Sequence, residues 1–135
     1  MRIEVWPEHG PLNSKDIFAK FIASLQDAGD EVHINKETNG DVAVIWSVLW
    51  RGRMLKYKNI WDRYRNAGKP VVVIEVGGLL RNISFKIGIN GINRDADFAN
   101  ETFDDKRWPL FKHELRPWNP TGDLIVICGQ HDASE

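Results

Sequence analysis

Cysteine is nearly absent from this chain, which has Cys128 alone among its 135 residues. A single cysteine excludes an internal disulfide and is typical of proteins in a reducing compartment. No apolar run approaches the roughly 18 residues that a membrane helix needs. The apolar stretch at the N-terminus (MRIEVWPEHG) is too short for a signal peptide. These features predict a cytoplasmic protein without a membrane span.

An excess of charge of either sign is also missing, because 18 Lys and Arg residues stand against 19 Asp and Glu residues and leave a net charge of −1. A nearly neutral chain has no global field to hold nucleic acid or an anionic membrane, although a local basic patch could do so. In the segment 51–65 basic residues alternate with aromatic ones. This segment is either a surface that binds nucleic acid by stacking or an amphipathic helix with its aromatic side chains turned inward. If the second interpretation holds, nucleic acid is not an expected partner of the chain.

The composition that is present is that of a folded domain, since hydrophobic residues make up 42% of the chain and charged residues 27%. Short apolar strands alternate with helical patterns, and a loop-rich segment at about 82–120 precedes the last strand. Strands are predicted at residues 2–6, 31–34, 71–76 and 124–128, and one that opens at 41. The first helix is predicted to be capped by Asn13 or Ser14 and to end at Gly29, and the second to span about 54–66. This order predicts one α/β, Rossmann-like three-layer domain with a mainly parallel sheet over residues 1–135.

Polar residues follow the strands of this predicted sheet, at the edge where ligands bind in open parallel sheets. The positions concerned are 9–10, 47–53, 75–81 and 129–135. The chain's four histidines show no spacing of metal ligands, so no metal site is predicted.

Glu75 is the least expected of these residues because it interrupts the apolar strand VVVIEV. Burial of a carboxylate is costly without a partner and would raise its pKa, as a general acid requires. The alternative is a Glu at the strand end that pairs with an arginine such as Arg81. The glycines that follow, Gly77 and Gly78, could let a backbone or a ligand approach closely or could expose amides to an anion. The alternative is a simple turn from strand to loop.

Two segments together resemble the signatures of one family. Segment 73–88 (VIEVGGLLRNISFKIG) resembles a Glu-Asp-Gly-Phe-Leu-Arg-Ser signature, with Val76 and Asn82 in place of its Asp and Ser. Segment 129–134 (GQHDAS) resembles a Gly-Gln, short spacer, Asp-Ala-Ser signature, with a spacer of one residue. These signatures belong to bacterial capsule-polysaccharide biosynthesis proteins, which are β-Kdo transferases of the GT-B type. The chain resembles a divergent, phage-borne or bacterial, relative of them.

The resemblance implies a retaining transfer with two carboxylates. Asp132 would attack the anomeric carbon of the sugar, and Glu75 would act as acid/base on the acceptor. Retaining glycosidases place such carboxylates about 5 Å apart. Arg81 would neutralise the carboxylate of the sugar, a bidentate role that suits guanidinium. The further substrate-binding positions are Gly77, Gly78, Gln130, Ser134 and His9.

The resemblance also implies partners. A GT-B enzyme has two Rossmann-like domains, and in this family the second carries most of the nucleotide contacts. The chain matches the first, acceptor-side domain and has no cofactor of its own. Its substrates would be a glycan acceptor and a nucleotide sugar, CMP-Kdo, and turnover would need a missing C-terminal domain or partner chain. The rival interpretations are a non-catalytic binding or assembly module on the same scaffold and a nucleic-acid-binding domain that uses segment 51–65.

Overall fold

A computed structural model of the chain describes residues 1–78, 83–97 and 109. The chain divides into two compact units, Met1–Phe103 and Asp104–Glu135, and every element below lies in the first. The strands are β1 (Arg2–Val5), β2 (Glu31–Ile34), β3 (Val42–Trp46), β4 (Val71–Val76) and β5 (Phe85–Ile89), and the helices are α1 (Lys15–Asp27) and α2 (Leu55–Asn66).

The five strands form one sheet in the order β2-β1-β3-β4-β5. The pairs β1–β2, β1–β3 and β3–β4 are parallel, and only β4–β5 is antiparallel among the described strands. This arrangement confirms the predicted α/β, Rossmann-like fold with a mainly parallel sheet. The continuous Val and Ile runs of β3 and β4 are typical of strands that are covered on both faces, and most of their residues are buried.

The two helices cover opposite faces of the sheet. Phe18 of α1 contacts Trp46 of β3, with ring centroids 6.3 Å apart, whereas Arg63 of α2 binds Glu4 of β1. Glu4 is in register with Ala43, and the side chains of Ala43 and Trp46 point to opposite faces because strand residues alternate. The structure therefore has the three predicted layers.

The helix ends show one difference from the sequence-based prediction. Gly29 ends the first helix at a positive φ of 83°, as predicted. Ser14 occupies the N-cap position of α1 but caps no amide with its side chain. Its hydroxyl instead donates to the Pro11 carbonyl over 2.7 Å, within the turn that leads into the helix. Within the described residues, no helix has the length and apolar character that crossing a bilayer requires.

The sequence pattern missed one strand, β5, which lies at the start of the segment predicted to be loop-rich. Its sequence, FKIGI, contains Gly88 where strand propensity favours a larger residue. A Cβ at Gly88 would collide with the Gly91 carbonyl oxygen, so this tight approach requires glycine. The strand forms because its partner β4 is strong. The strand predicted at 124–128 lies outside the described residues.

Candidate functional site

The carboxyl ends of β1, β3 and β4 lie at one edge of the sheet, because these strands are parallel neighbours. His9 follows β1, Glu75 is the penultimate residue of β4, and Gly77 and Gly78 follow β4 directly. The structure thus places these four residues at the edge where ligands bind in such folds. β3 lies between the strands that carry His9 and Glu75, so their strand axes are about 10 Å apart.

Four of the predicted site residues lie outside the described residues. They are Arg81, Gln130, Asp132 and Ser134. The predicted pairing of Glu75 with Asp132, and the predicted contact of Glu75 with Arg81, therefore stay predictions.

Glu75 lies on the face of the sheet that α2 covers. The register of the strands aligns Glu4 with Ala43 and Ala43 with Val71, and Glu75 shares the parity of Val71 in β4. The side chain is half-buried, and its Oε1 accepts a hydrogen bond of 2.7 Å from the amide of the next residue, Val76. A carboxylate that is oriented by the backbone and still reachable from solvent can exchange a proton with a bound hydroxyl group.

The two glycines after β4 have different roles. The Gly77 amide donates to the Ser84 carbonyl over 2.8 Å, and a Cβ at Gly77 would lie only 2.5 Å from that carbonyl oxygen. Gly77 thus permits the close crossing of the chain between β4 and β5. Among the residues that the structure describes, a Cβ at Gly78 would meet nothing within 4 Å, and this glycine is exposed. At Gly77 the structure therefore shows the close approach of a second backbone segment, and the predicted contact of these glycines with a substrate stays a prediction.

Gly77→Ala is expected to lower the free energy of unfolding by about 1–3 kcal/mol, because the added methyl group forces the β4–β5 connection apart. Gly78→Ala is the matched control and should change it by no more than about 0.5 kcal/mol. Urea denaturation of the two variants and the wild type measures both values. Equal losses in the two variants would contradict the assignment of Gly77 to the chain crossing.

His9 is presented by a tight turn, Pro7–Gly10, which we name the β1 turn. The Gly10 amide donates to the Pro7 carbonyl over 3.1 Å and closes the turn. The Glu8 amide donates to the side chain of Asn35, just beyond β2, over 3.2 Å. The β1 turn is therefore fixed both internally and against the neighbouring strand.

Tyr57, in the first turn of α2, lies beneath the β1 turn. Its hydroxyl donates to the Trp6 carbonyl over 2.7 Å, and its ring meets the His9 ring edge-on, with centroids 5.6 Å apart. Burial raises the pKa of the Tyr57 hydroxyl, and a hydrogen bond from the His9 amide acts in the opposite direction. The helical spacing of Tyr57 predicted only that it is buried, and no local pattern in the sequence connects it with His9.

The sequence analysis did not identify Glu4 of β1 as a buried group. The side chain of this charged residue has no exposed surface. Its Oε1 accepts hydrogen bonds from the amides of Thr38 (2.6 Å) and Gly40 (3.1 Å), and its Oε2 accepts one from Arg63 (2.7 Å). Arg63 also binds Glu37 at 2.8 Å. We call these five residues the Glu4 cluster; it ties β1, the β2–β3 connection and α2 together.

The Glu4 cluster should make stability depend on pH in acid. Burial alone would raise the pKa of Glu4, but hydrogen bonds from Thr38, Gly40 and Arg63 outweigh it and lower the pKa from 4.5 to about 2. A lowered pKa in the folded state stabilises the fold above the unfolded-state pKa, and this contribution is lost as the pH falls through the folded value. The stability difference between the wild type and Glu4→Gln should therefore shrink by about 3 kcal/mol between pH 5 and pH 2. Urea denaturation across that range measures it, and a difference that stays constant would contradict the prediction.

Most of the basic and aromatic segment 51–65 lies in the amphipathic helix α2, which follows a short 3-10 turn at Gly52–Met54. Tyr57 and Tyr64 are 0% and 2% exposed, so neither ring is available for stacking on bases. Trp61 is half-buried against Trp50, with ring centroids 5.6 Å apart. The aromatic side chains of this segment thus serve mainly to attach α2 to the sheet.

Comparisons with protein-family models, with curated proteins and with solved structures found no match for this chain. Within residues 1–78, 83–97 and 109, no group of three His, Cys, Asp or Glu side chains is placed to hold a metal ion. The functional assignment therefore depends on the residues at the carboxyl edge of the sheet and on the two sequence segments that resemble a known family.

Proposed function

We propose that this chain is the acceptor-side, Rossmann-like domain of a GT-B-type glycosyltransferase that extends a polysaccharide or other glycan from a nucleotide-sugar donor. The observation that carries the proposal is the position of Glu75. It is a half-buried carboxylate at the carboxyl end of β4, it is oriented by a backbone amide, and it lies in the segment that resembles the transferase signature. The resemblance supplies the donor, CMP-Kdo.

The proposed reaction is a double displacement. Asp132 attacks the anomeric carbon of the donor and CMP leaves, which forms a covalent glycosyl ester on the enzyme. The acceptor hydroxyl group then attacks the same carbon, gives its proton to Glu75 and releases Asp132. Arg81 binds the carboxylate of the transferred sugar, and Gln130 and Ser134 contact the substrates. The two displacements return the sugar to its original anomeric configuration.

The proposal includes a donor-side domain or partner chain, which provides most of the nucleotide contacts. It also includes a cytoplasmic location, where nucleotide sugars are available and where a single cysteine such as Cys128 stays reduced. The structure establishes the Rossmann-like scaffold of the chain, and such scaffolds host many unrelated functions. The experiment must therefore probe the carboxyl edge directly.

The test is a titration of the ¹⁵N-labelled chain with oligosaccharides from bacterial capsules, followed by NMR. An acceptor-side domain should bind at least one of them even without turnover, and the perturbed amides should lie in the β1 turn and at residues 75–78. CMP-Kdo added alone should perturb the spectrum less. If no oligosaccharide binds, or if the perturbed amides lie at the amino ends of the strands, the proposed function is wrong.

A further inference from the structure

We infer that Tyr57 is a positioning residue that holds His9 at the substrate-facing edge of the sheet, where the His9 imidazole binds a hydroxyl group of the acceptor. This inference rests on the proposed function. The contacts of the Tyr57 hydroxyl and ring with the β1 turn, together with the topology of the sheet, carry it.

The location of the pair follows from the connections of β1 and β3. These two strands are adjacent and parallel, but β1 leads through α1 to β2 on one side, whereas β3 leads through α2 to β4 on the other. Their carboxyl ends therefore form the topological switch point, which is where ligands bind in open α/β sheets. His9 comes from the loop after β1, and Tyr57 comes from the helix that follows β3.

Tyr57 contacts both the backbone and the side chain of the β1 turn. Its hydroxyl group, which is fully buried, donates to the Trp6 carbonyl directly before the turn. Its ring provides the edge-on contact for the imidazole of His9. One side chain thus sets the height of the β1 turn above the sheet and the plane of the imidazole.

Contacts at both ends of the β1 turn further restrict its conformation. A Cβ at Gly10 would collide with the Ser14 hydroxyl, so the chain is tightly packed where it enters α1. On the other side the Glu8 amide is held by Asn35. A half-buried imidazole on such a fixed turn can donate or accept a hydrogen bond without losing much conformational entropy on binding.

The chain provides its own control, because Tyr57 and Tyr64 are its only tyrosines and both lie buried in α2. Tyr57→Phe removes the hydroxyl group beneath the β1 turn, and Tyr64→Phe removes one beside Glu4. In the ligand-free chain, Tyr57→Phe should shift or broaden the His9 ring resonances in NMR spectra, and Tyr64→Phe should leave them unchanged. Unchanged His9 resonances in Tyr57→Phe would overturn the inference, whether or not any oligosaccharide binds.

Binding provides the second readout and distinguishes positioning from a general loss of stability. With the capsule oligosaccharide that perturbs the wild type most, Tyr57→Phe and His9→Gln should each weaken binding by about tenfold, the loss of one well-placed hydrogen bond. In the His9→Gln background, Tyr57→Phe should have no further effect, because it acts through His9. Additive losses, or an equal loss in Tyr64→Phe, would overturn the inference. A wild type that binds no oligosaccharide would instead refute the proposed function, and the ring resonances would still decide the role of Tyr57.

Discussion

Replacement of Arg63 by Met should lower the free energy of unfolding by about 3–5 kcal/mol, because it removes the cation that binds a fully buried carboxylate. Glu4 has no exposed surface, and its Oε2 accepts its 2.7 Å hydrogen bond from Arg63. The Arg63 guanidinium carbon also lies 5.9 Å from the centroid of the Trp6 ring and 5.1 Å from that of Tyr64, and Met removes these cation–π contacts while it keeps an apolar side chain. The predicted loss is electrostatic, since the hydrogen bonds at Oε1, from the Thr38 and Gly40 amides and the Thr38 hydroxyl group, would then have to stabilise the buried charge. Urea denaturation at neutral pH measures it.

The control for this prediction lies on the same helix. Lys58 and Asp62 form an ion pair at 2.6 Å in which both side chains are 45% exposed. Lys58→Met should therefore lower the free energy of unfolding by less than about 1 kcal/mol. The double variant Glu4→Gln/Arg63→Met should recover part of the loss of Arg63→Met, because a neutral amide needs no counter-ion. A loss in Arg63→Met no larger than that in Lys58→Met would show that Arg63 does not stabilise the buried charge.

The parts of the fold that the sequence predicts are those that local pattern determines. The bounds of β4 are predicted because six consecutive residues, VVVIEV, fit a strand buried on both faces. The buried residues of α2 are predicted because Tyr57, Ile60 and Tyr64 repeat at helical spacing. β5 escapes prediction because its residues alone form a weak strand and its neighbour β4 provides the template.

The Glu4 cluster escapes prediction for a related reason. The strand RIEVW predicts that alternate residues point to opposite faces, but nothing nearby in the sequence shows that its polar residue, Glu4, is buried together with the apolar Ile3 and Val5. The partner that makes burial possible, Arg63, lies 59 positions away along the chain. A basic residue on an amphipathic helix is usually solvated, so only the assembled layers show that this one reaches a buried acid.

The residues of the candidate site are also predicted only in part from the sequence. The rule that ligands bind beyond the carboxyl ends of parallel strands selects His9, Glu75 and Gly77 from the sequence, and the structure places all three at that edge. The rule cannot separate residues that face a ligand from those that support the chain. Contacts make that distinction, since Gly77 serves a chain crossing and Tyr57, which the rule omits, supports the β1 turn.

The largest functional effect is expected for Glu75→Gln, which should reduce sugar transfer from CMP-Kdo by about 10²–10⁴-fold, the usual contribution of a general acid or base. The substitution preserves the size of the side chain and leaves a carbonyl oxygen that can still accept from the Val76 amide. Folding and oligosaccharide binding should therefore stay close to those of the wild type. Transfer is measured as product mass with the donor-side domain or partner present. The control is Glu31→Gln, an exposed residue at the amino end of β2, which should leave transfer unchanged.

The order of the two displacements makes the prediction for Glu75 more specific. Glu75 acts on the acceptor, so Glu75→Gln should still allow Asp132 to attack the donor and release CMP. The covalent glycosyl ester should then accumulate and be visible in the intact mass, whereas Asp132→Asn should show neither ester nor transfer. Transfer by Glu75→Gln at the wild-type rate would remove Glu75 from the chemistry. A different outcome is that the wild-type chain binds oligosaccharides but shows no transfer, even with the donor-side partner present. That result would favour a non-catalytic binding module on the same Rossmann-like scaffold.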